Sequence, residues 1–470
     1  KKGWFLAEKK FVWESLKLLL KSMPSFFNKL KDLLSSSSQN KTELSKYADQ
    51  YPGVEENEEN ILDVTIGLDF GTAFTKVIVR TGLDFSVISF EEFKPDNKFL
   101  LPSILYVDED NVCCLDPKNI KEYSGLKDHI VHDKIEILYE DHETLGSIVF
   151  FIALVFQHTR YKFLLNNWAQ FNQRYIKWNI NIGMPEATLV ENEKKQLYES
   201  ITKLAWGLSL KEESIFFDIE KLTDESNFRE EDIFVFPETT AFLLSVEKSN
   251  VYRRGHYILI DIGAGTTDIS YLHIHDVDGD IKHILHYTSV ENHGTAMFMD
   301  FLIKKSNSDF FWSRHDNFPE LDELQRGLGL ESENFKNIKN EFMDRFTKQL
   351  SENYKGGFSH FKVNDRETLR LGRQRFCYII TGGGSNIDAY VERAEILALN
   401  NEELNLSRLN LPKPDLKPDS ITEKDFERLA VAYGLAWDRF DLAETLKYKV
   451  ENEGNDNRDF RENYVGPEQM

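Results

Sequence analysis

Two short segments of this 470-residue chain carry residue types that handle phosphate. Residues 66–80 read IGLDFGTAFTKVIVR, and residues 258–272 read ILIDIGAGTTDISYL. Each sets an apolar run before Asp-x-Gly, follows with small and hydroxyl residues, and ends on a second β-branched run. The pattern predicts a strand, a tight turn and a returning strand, with glycine allowing the sharp reversal. Consecutive main-chain N–H groups in such a turn form a nest for phosphate oxygens. Asp69 and Asp261 end the first strands and are hard oxygen donors suited to Mg²⁺, through its coordinated water. Thr72 and Thr75 in one turn, and Thr266 and Thr267 in the other, add hydroxyl groups. Facing one another, the two turns would clamp a β/γ-phosphate pair.

The elements that must position these turns also come in pairs. NINIGMP (179–185) and YIITGGGS (378–385) follow in the same order, aligning Gly183 with Gly382. ETTAFLLS (238–245) and AVAYGLAW (430–437) then form a helical pair. Three features recurring in one order imply two similarly built lobes in an α/β chain. The loop Gly382-Gly383-Gly384 follows a predicted strand, and a flat ring can lie closely on it. SNIDAYVERA after it reads as a helix with Ser385 or Asn386 near its N-terminus, where free amides would meet a nucleoside or α-phosphate. Other nucleotide folds do not fit. No GxxxxGK[ST] occurs, and GAGTTD puts Asp268 where a dinucleotide fingerprint needs its third glycine.

Composition narrows the class. Lys and Arg total 57 against 79 Asp and Glu, a net charge of −22, which argues against a broad nucleic-acid surface. At 41% hydrophobic residues the chain can bury a large core. Cys113, Cys114 and Cys377 are too few for a disulfide framework and read as reduced thiols of a cytoplasmic protein. The most apolar run, LGSIVFFIALVF (145–156), reads as a core helix, too short to span a membrane. Residues 1–34 differ, with a local charge of +5 and apolar residues at helical spacing up to Pro24. This basic arm would dock on a protein partner, lie on an anionic membrane, or pack back on its own domain. Residues 35–60 read as a flexible linker, and 451–470 as a disordered acidic tail. His273, His275, His283 and His286 flank a DVDGD turn that lacks the EF-hand ligand pattern and reads as an exposed hairpin.

These residues carry a family resemblance. LDFGTAFTK, DIGAGTTDIS and TGGGSNI resemble the two phosphate motifs and the adenosine motif of the actin-like ATPase superfamily, and ETTAF and AVAYGLAW resemble its connecting helices. LPS (101–103) and DVDGD followed by HGTAMFMDFL bring it closest to the nucleotide-binding domain of DnaK-type heat-shock protein 70 chaperones. The resemblance implies duplicated ribonuclease-H-like lobes over 61–257 and 258–450, binding ATP and Mg²⁺. It implies that Asp69 and Asp261 hold the metal through water, and that Glu238 positions the metal shell or the attacking water. Gly71, Thr72, Ala73 and Phe74 would cradle phosphate from one side, and Gly263, Ala264, Gly265 and Thr266 from the other. Gly382, Gly383 and Gly384, with Ser385 and Asn386, would meet the adenosine. A chaperone-type catalytic lysine would fall at Lys118.

The departures are specific. Thr239 replaces a proline, Asn386 an arginine that stacks on adenine, and Arg428 an acidic residue, while residues 334–346 lack the family's adenosine-embracing helix pattern. No peptide-binding β-domain follows residue 440, so a complete folding chaperone is not expected. The resemblance implies an ATP-hydrolysing switch acting on a protein partner. An ATP-dependent filament protein and a nucleotide-binding pseudo-ATPase scaffold are the alternatives. A sugar-type kinase on the same fold ranks below them for want of a second carboxylate base.

Overall fold

The computed structural model describes residues 44–117, 121–185, 192–211, 214–223, 233–249, 255–277, 280–364, 376–399 and 406–446. The basic arm, Lys118 and the acidic tail lie outside the described residues.

The chain is mixed α/β. It opens with β1 (Ile61–Phe70), β2 (Phe74–Thr81) and β3 (Asp84–Val87), then the short strands β4 (Leu101–Pro102), β5 (Leu105–Val107), β6 (Cys113–Cys114) and β7 (Lys121–Tyr123). Helices α1 (Leu126–His132), α2 (Ile135–Glu140) and α3 (His142–Phe171) lead to β8 (Tyr175–Met184), α4 (Asn192–Lys211), β9 (Ile233–Pro237) and α5 (Glu238–Glu247). There follow β10 (Gly255–Ile262), β11 (Thr267–Val277), β12 (Asp280–Glu291), α6 (Thr295–Ser306), α7 (Leu321–Gly327) and α8 (Ser332–Asn364). The chain continues through β13 (Phe376–Thr381), α9 (Asp388–Leu399), β14 (Leu406–Arg408), β15 (Leu416–Lys417), α10 (Glu423–Leu435) and α11 (Arg439–Leu446).

Two sheets repeat one order. In the first, β3–β2–β1 are antiparallel and β8 and β9 add in parallel; in the second, β12–β11–β10 are antiparallel and β13 and β14 add in parallel. The strand register sharpens the duplication. Leu68 pairs with Ile182 and Ile260 with Ile380, so Gly183 corresponds to Thr381, one residue away from the sequence alignment with Gly382. The sheets are not wholly independent, because β15 returns from the C-terminal half to pair with β3.

Apolar faces explain the layering. α5 and α10 pack between the sheets, in a core containing Ile78 and Phe85 of one sheet and Tyr257 and Leu259 of the other. Their axes meet closely: a Cβ added to Gly434 would lie 1.7 Å from the Ala241 carbonyl oxygen, so only glycine fits. Ser245 Oγ donates across the crossing to the Ala430 carbonyl (2.5 Å). α3 and α4 cover the outer face of the first sheet, while α6, α8 and α9 cover that of the second. α3 runs 30 residues, well past the apolar run read from the sequence. It is the one described helix long and apolar enough to cross a membrane, but 78% of its most apolar window is buried in this core.

Part of the expected linker is packed. Tyr51 is buried and donates its hydroxyl hydrogen to the Leu164 carbonyl (3.1 Å), while Gln50 exchanges two hydrogen bonds with the Ile176 backbone. The acidic composition of 51–60 signalled solvation but concealed the single aromatic anchor that docks the segment on α3. The histidine hairpin also departs from expectation, since His273, His283 and His286 are buried. Among the described residues, no three His, Cys, Asp or Glu side chains converge to hold a metal directly.

Candidate functional site

The first hairpin loop is shaped by a serine from outside it. Ser103 Oγ donates to the Gly71 carbonyl (2.7 Å) and Ser103 N–H to the Ala73 carbonyl (2.9 Å), with Thr75 Oγ1 sharing a further bond at 2.9 Å. Tying these carbonyls outward leaves the N–H groups of Thr72 and Ala73 without a hydrogen-bond partner among the described residues. Thr75 is thereby buried beneath the loop.

The second loop is arranged alike by a different device. The amides of Gly294, Thr295 and Ala296, at the start of α6, donate to the carbonyls of Gly265, Gly263 and Ala264 at 3.2, 2.9 and 2.8 Å. The N–H groups of Ala264, Gly265 and Thr266 are again left without a described partner. Consecutive free amides with their carbonyls turned away are the physical definition of an anion nest. The two loops face each other: a Cβ placed on Gly265 would lie 3.8 Å from Thr72 Cγ2.

Between them lies a cleft of about 920 Å³, counting the part open to solvent. Asp69, Glu238 and Asp261 all line it, as do Gly71, Thr72, Ala73, Phe74, Gly263, Ala264, Gly265, Thr266, Gly382 and Gly383. Gly382 has φ +83°, and a Cβ there would lie 2.3 Å from Asp261 Oδ1, so glycine lets the loop touch the aspartate. Other expected residues turn away. Thr267 is buried with its hydroxyl on the His293 carbonyl (3.0 Å), and Gly384 and Ser385 are buried within a short 3₁₀ turn. Asn386 ends that turn, exposed, and α9 begins only at Asp388.

The charges form two unlike pairs. Asp69 sits opposite Lys76 in the β1–β2 register and accepts a hydrogen bond from its ammonium at 2.8 Å. The equivalent partner of Asp261 is Asp268, a second carboxylate, in the β10–β11 register. Burial, followed by the charge of Glu238, pushes Asp261 up to about 7. Burial and the charge of Asp261 push Asp268 up to about 8, and its buried Oδ1 accepts no hydrogen bond. Lys127, on the first turn of α1, binds Glu238, the first residue of α5, at 2.5 Å. Burial works against the Lys127 charge, but Glu238 and Asp69 outweigh it and raise its pKa. Burial raises Glu238 as well, against the pull of Lys127.

Sequence reasoning missed Lys76, Lys127 and Asp268 as cleft residues. Lys76 and Asp268 were legible from hairpin register, since each lies seven residues beyond its aspartate. Lys127 carried no signal, because a single lysine on a short helix has no motif.

Mg²⁺ fits the donor set. Asp69, Asp261, Asp268 and Glu238 supply hard oxygen donors to the cleft beside Lys76 and Lys127, and the Asp268 Oδ1 atom is buried without a hydrogen-bond partner. With no three of these groups converging on one point, a cation would be held largely through its own water. No protein-family model matches the chain, and no curated protein matches it.

Proposed function

We propose that this chain is a two-lobed actin-like ATPase, closest to the DnaK-type nucleotide-binding domain, that binds and hydrolyses ATP as a switch for a protein partner. The observation carrying this reading is the pair of equivalent hairpin loops whose unpaired amides face each other above a carboxylate cluster. A polyphosphate bridging the loops would satisfy both nests at once.

The roles follow from chemistry and placement. Amides of Thr72 and Ala73 bind phosphate oxygens from one side, and those of Ala264, Gly265 and Thr266 from the other. Lys127 presents its ammonium to the charge that develops as the terminal phosphoryl group departs. Glu238 accepts a hydrogen bond from the attacking water and orients it for in-line displacement. Asp69 and Asp261 would hold Mg²⁺ through its hydration shell, and the ion would neutralise phosphate charge. Hydrolysis removes the γ-phosphate bridge between the loops and relaxes their approach, which alters how a partner docks.

Phosphate release and bound nucleotide, measured on the full chain with and without Mg²⁺, test this. Asp261→Ala should abolish Mg²⁺-dependent turnover. Lys127→Met should lower kcat by about 10²–10³ while retaining nucleotide. Undiminished hydrolysis by Asp261→Ala would remove the assignment, and tight binding without turnover by the unaltered protein would leave a nucleotide-binding scaffold.

A further inference from the structure

Among the described residues, Arg428 is a cleft cation that no carboxylate pairs. Lys76 is paired with Asp69, Lys127 with Glu238, and Arg314 with Asp128 at 2.8 Å. Arg428, on α10, also lines the cleft but makes no ion pair among the described residues. Its Nε is shielded from solvent without a hydrogen-bond partner, and its guanidinium lies over the Phe74 ring at 5.3 Å.

Nearby acids are occupied elsewhere. Asp425 is engaged in the capping box of α10 with Thr422, and Glu427 faces Arg408 at 3.8 Å. The backbone around Arg428 is firmly placed, because the Glu427 carbonyl accepts from the Gly382 amide (3.2 Å) and from the Thr381 hydroxyl. Arg428 therefore stands between the triple-glycine loop and Phe74, the residue that closes the first hairpin loop. Burial pulls its pKa down to about 10, with the charge of Asp425 acting against it.

A guanidinium held on an aromatic face and lining this cleft can receive an oxyanion, two of whose oxygens match its fork. We propose that Arg428 is a phosphate ligand of this cleft, donating hydrogen bonds to a phosphate oxygen of the bound nucleotide in addition to the loop amides. The proposal rests on the nucleotide reading above and deepens it by assigning a charged contact on the α10 side. Asp261 and Asp268 also line the cleft, so a cation here offsets their repulsion of an incoming polyphosphate.

Calorimetric titration of the full chain with adenosine, ADP, ATP and pyrophosphate separates the possibilities. Arg428→Met should weaken ADP, ATP and pyrophosphate by about tenfold to a hundredfold. Adenosine should bind as before, the ligand-free melting temperature should hold or rise, and Arg428→Lys should recover part of the loss. Unchanged phosphate binding in Arg428→Met would overturn the proposal, leaving the arginine as a packing partner of Phe74. An equal loss for adenosine would overturn it too, as a structural effect. If Arg428→Met fails to fold, Arg428→Gln carries the same comparison. No binding of any of the four ligands by the unaltered protein would remove the nucleotide reading itself, a result distinct from the first two.

Discussion

At the residue scale, burial decides which charges the molecule tolerates. Asp69 meets a lysine across its hairpin whereas Asp261 meets another aspartate, so two turns of like sequence differ in what they demand of a ligand. Histidines show the same control away from the cleft. His158 is buried on α3, with Nε2 on the Ser89 carbonyl (2.9 Å), its ring stacked on Phe90, and Glu92 and Lys162 beside it. Burial lowers its pKa from 6.5 to about 4. Above pH 6.5 the folded and unfolded chains both hold it neutral, and its contribution is complete. Between pH 6.5 and 4 the unfolded chain takes up a proton that the folded chain refuses, so stability falls as pH falls, by on the order of 3 kcal/mol in all. Thermal melts at pH 7 and pH 5 should show a drop that His158→Gln, which keeps an amide donor for Ser89, makes smaller. An identical drop in both proteins would contradict this account.

Elements matter here chiefly through how closely they approach. α5 and α10 cross with backbone against backbone at Gly434 and Ala241, and α5 begins with Glu238 while α10 carries Arg428. One crossing therefore sets the depth of two cleft side chains. Gly434→Ala would force its methyl into a carbonyl that cannot rotate away, and should cost about 3 kcal/mol or more. The urea midpoint measures this, and a loss under about 1 kcal/mol would show that the helices slide apart freely. Loops follow similar logic. Ser103 and the start of α6 use different atoms to turn two sets of carbonyls outward, converging on the same run of amides without a described partner.

Over the whole molecule, the segment between α6 and α7 straps one sheet's half to the other across the cleft mouth. Asp316 pairs with Lys94 at 3.4 Å, Asn317 with Asn97 at 3.2 Å, and Arg314 with Asp128, while His315 meets the edge of Phe74. Partly exposed pairs of this kind are worth up to about 1 kcal/mol each. Removing two of them with Lys94→Ala and Arg314→Ala should speed release of a fluorescent nucleotide by roughly tenfold, with little change in melting temperature. A release rate equal to that of the unaltered protein would exclude the strap as a barrier.

The division between what sequence and fold determine follows from range. Hairpin turns are local, written in glycines and period-2 apolar runs within about fifteen residues, so Asp69, Asp261 and their loops were legible, as were the α/β alternation and the paired order of elements. Density of apolar residues along α3 likewise announced a core helix. The partners that complete the cleft come from far along the chain: Lys127 and Glu238 are 111 residues apart and touch only because α1 and α5 begin at one place. The Tyr51 anchor belongs to the same class, since a lone side chain has no periodicity to betray it, whereas Ser103 and Arg428 stood out against a family pattern but not for the contacts they make. The sequence alone thus set two glycine-bearing hairpin turns and the α/β alternation. Only tertiary packing decided which charges face them, because burial and ion pairing are properties of neighbours in space.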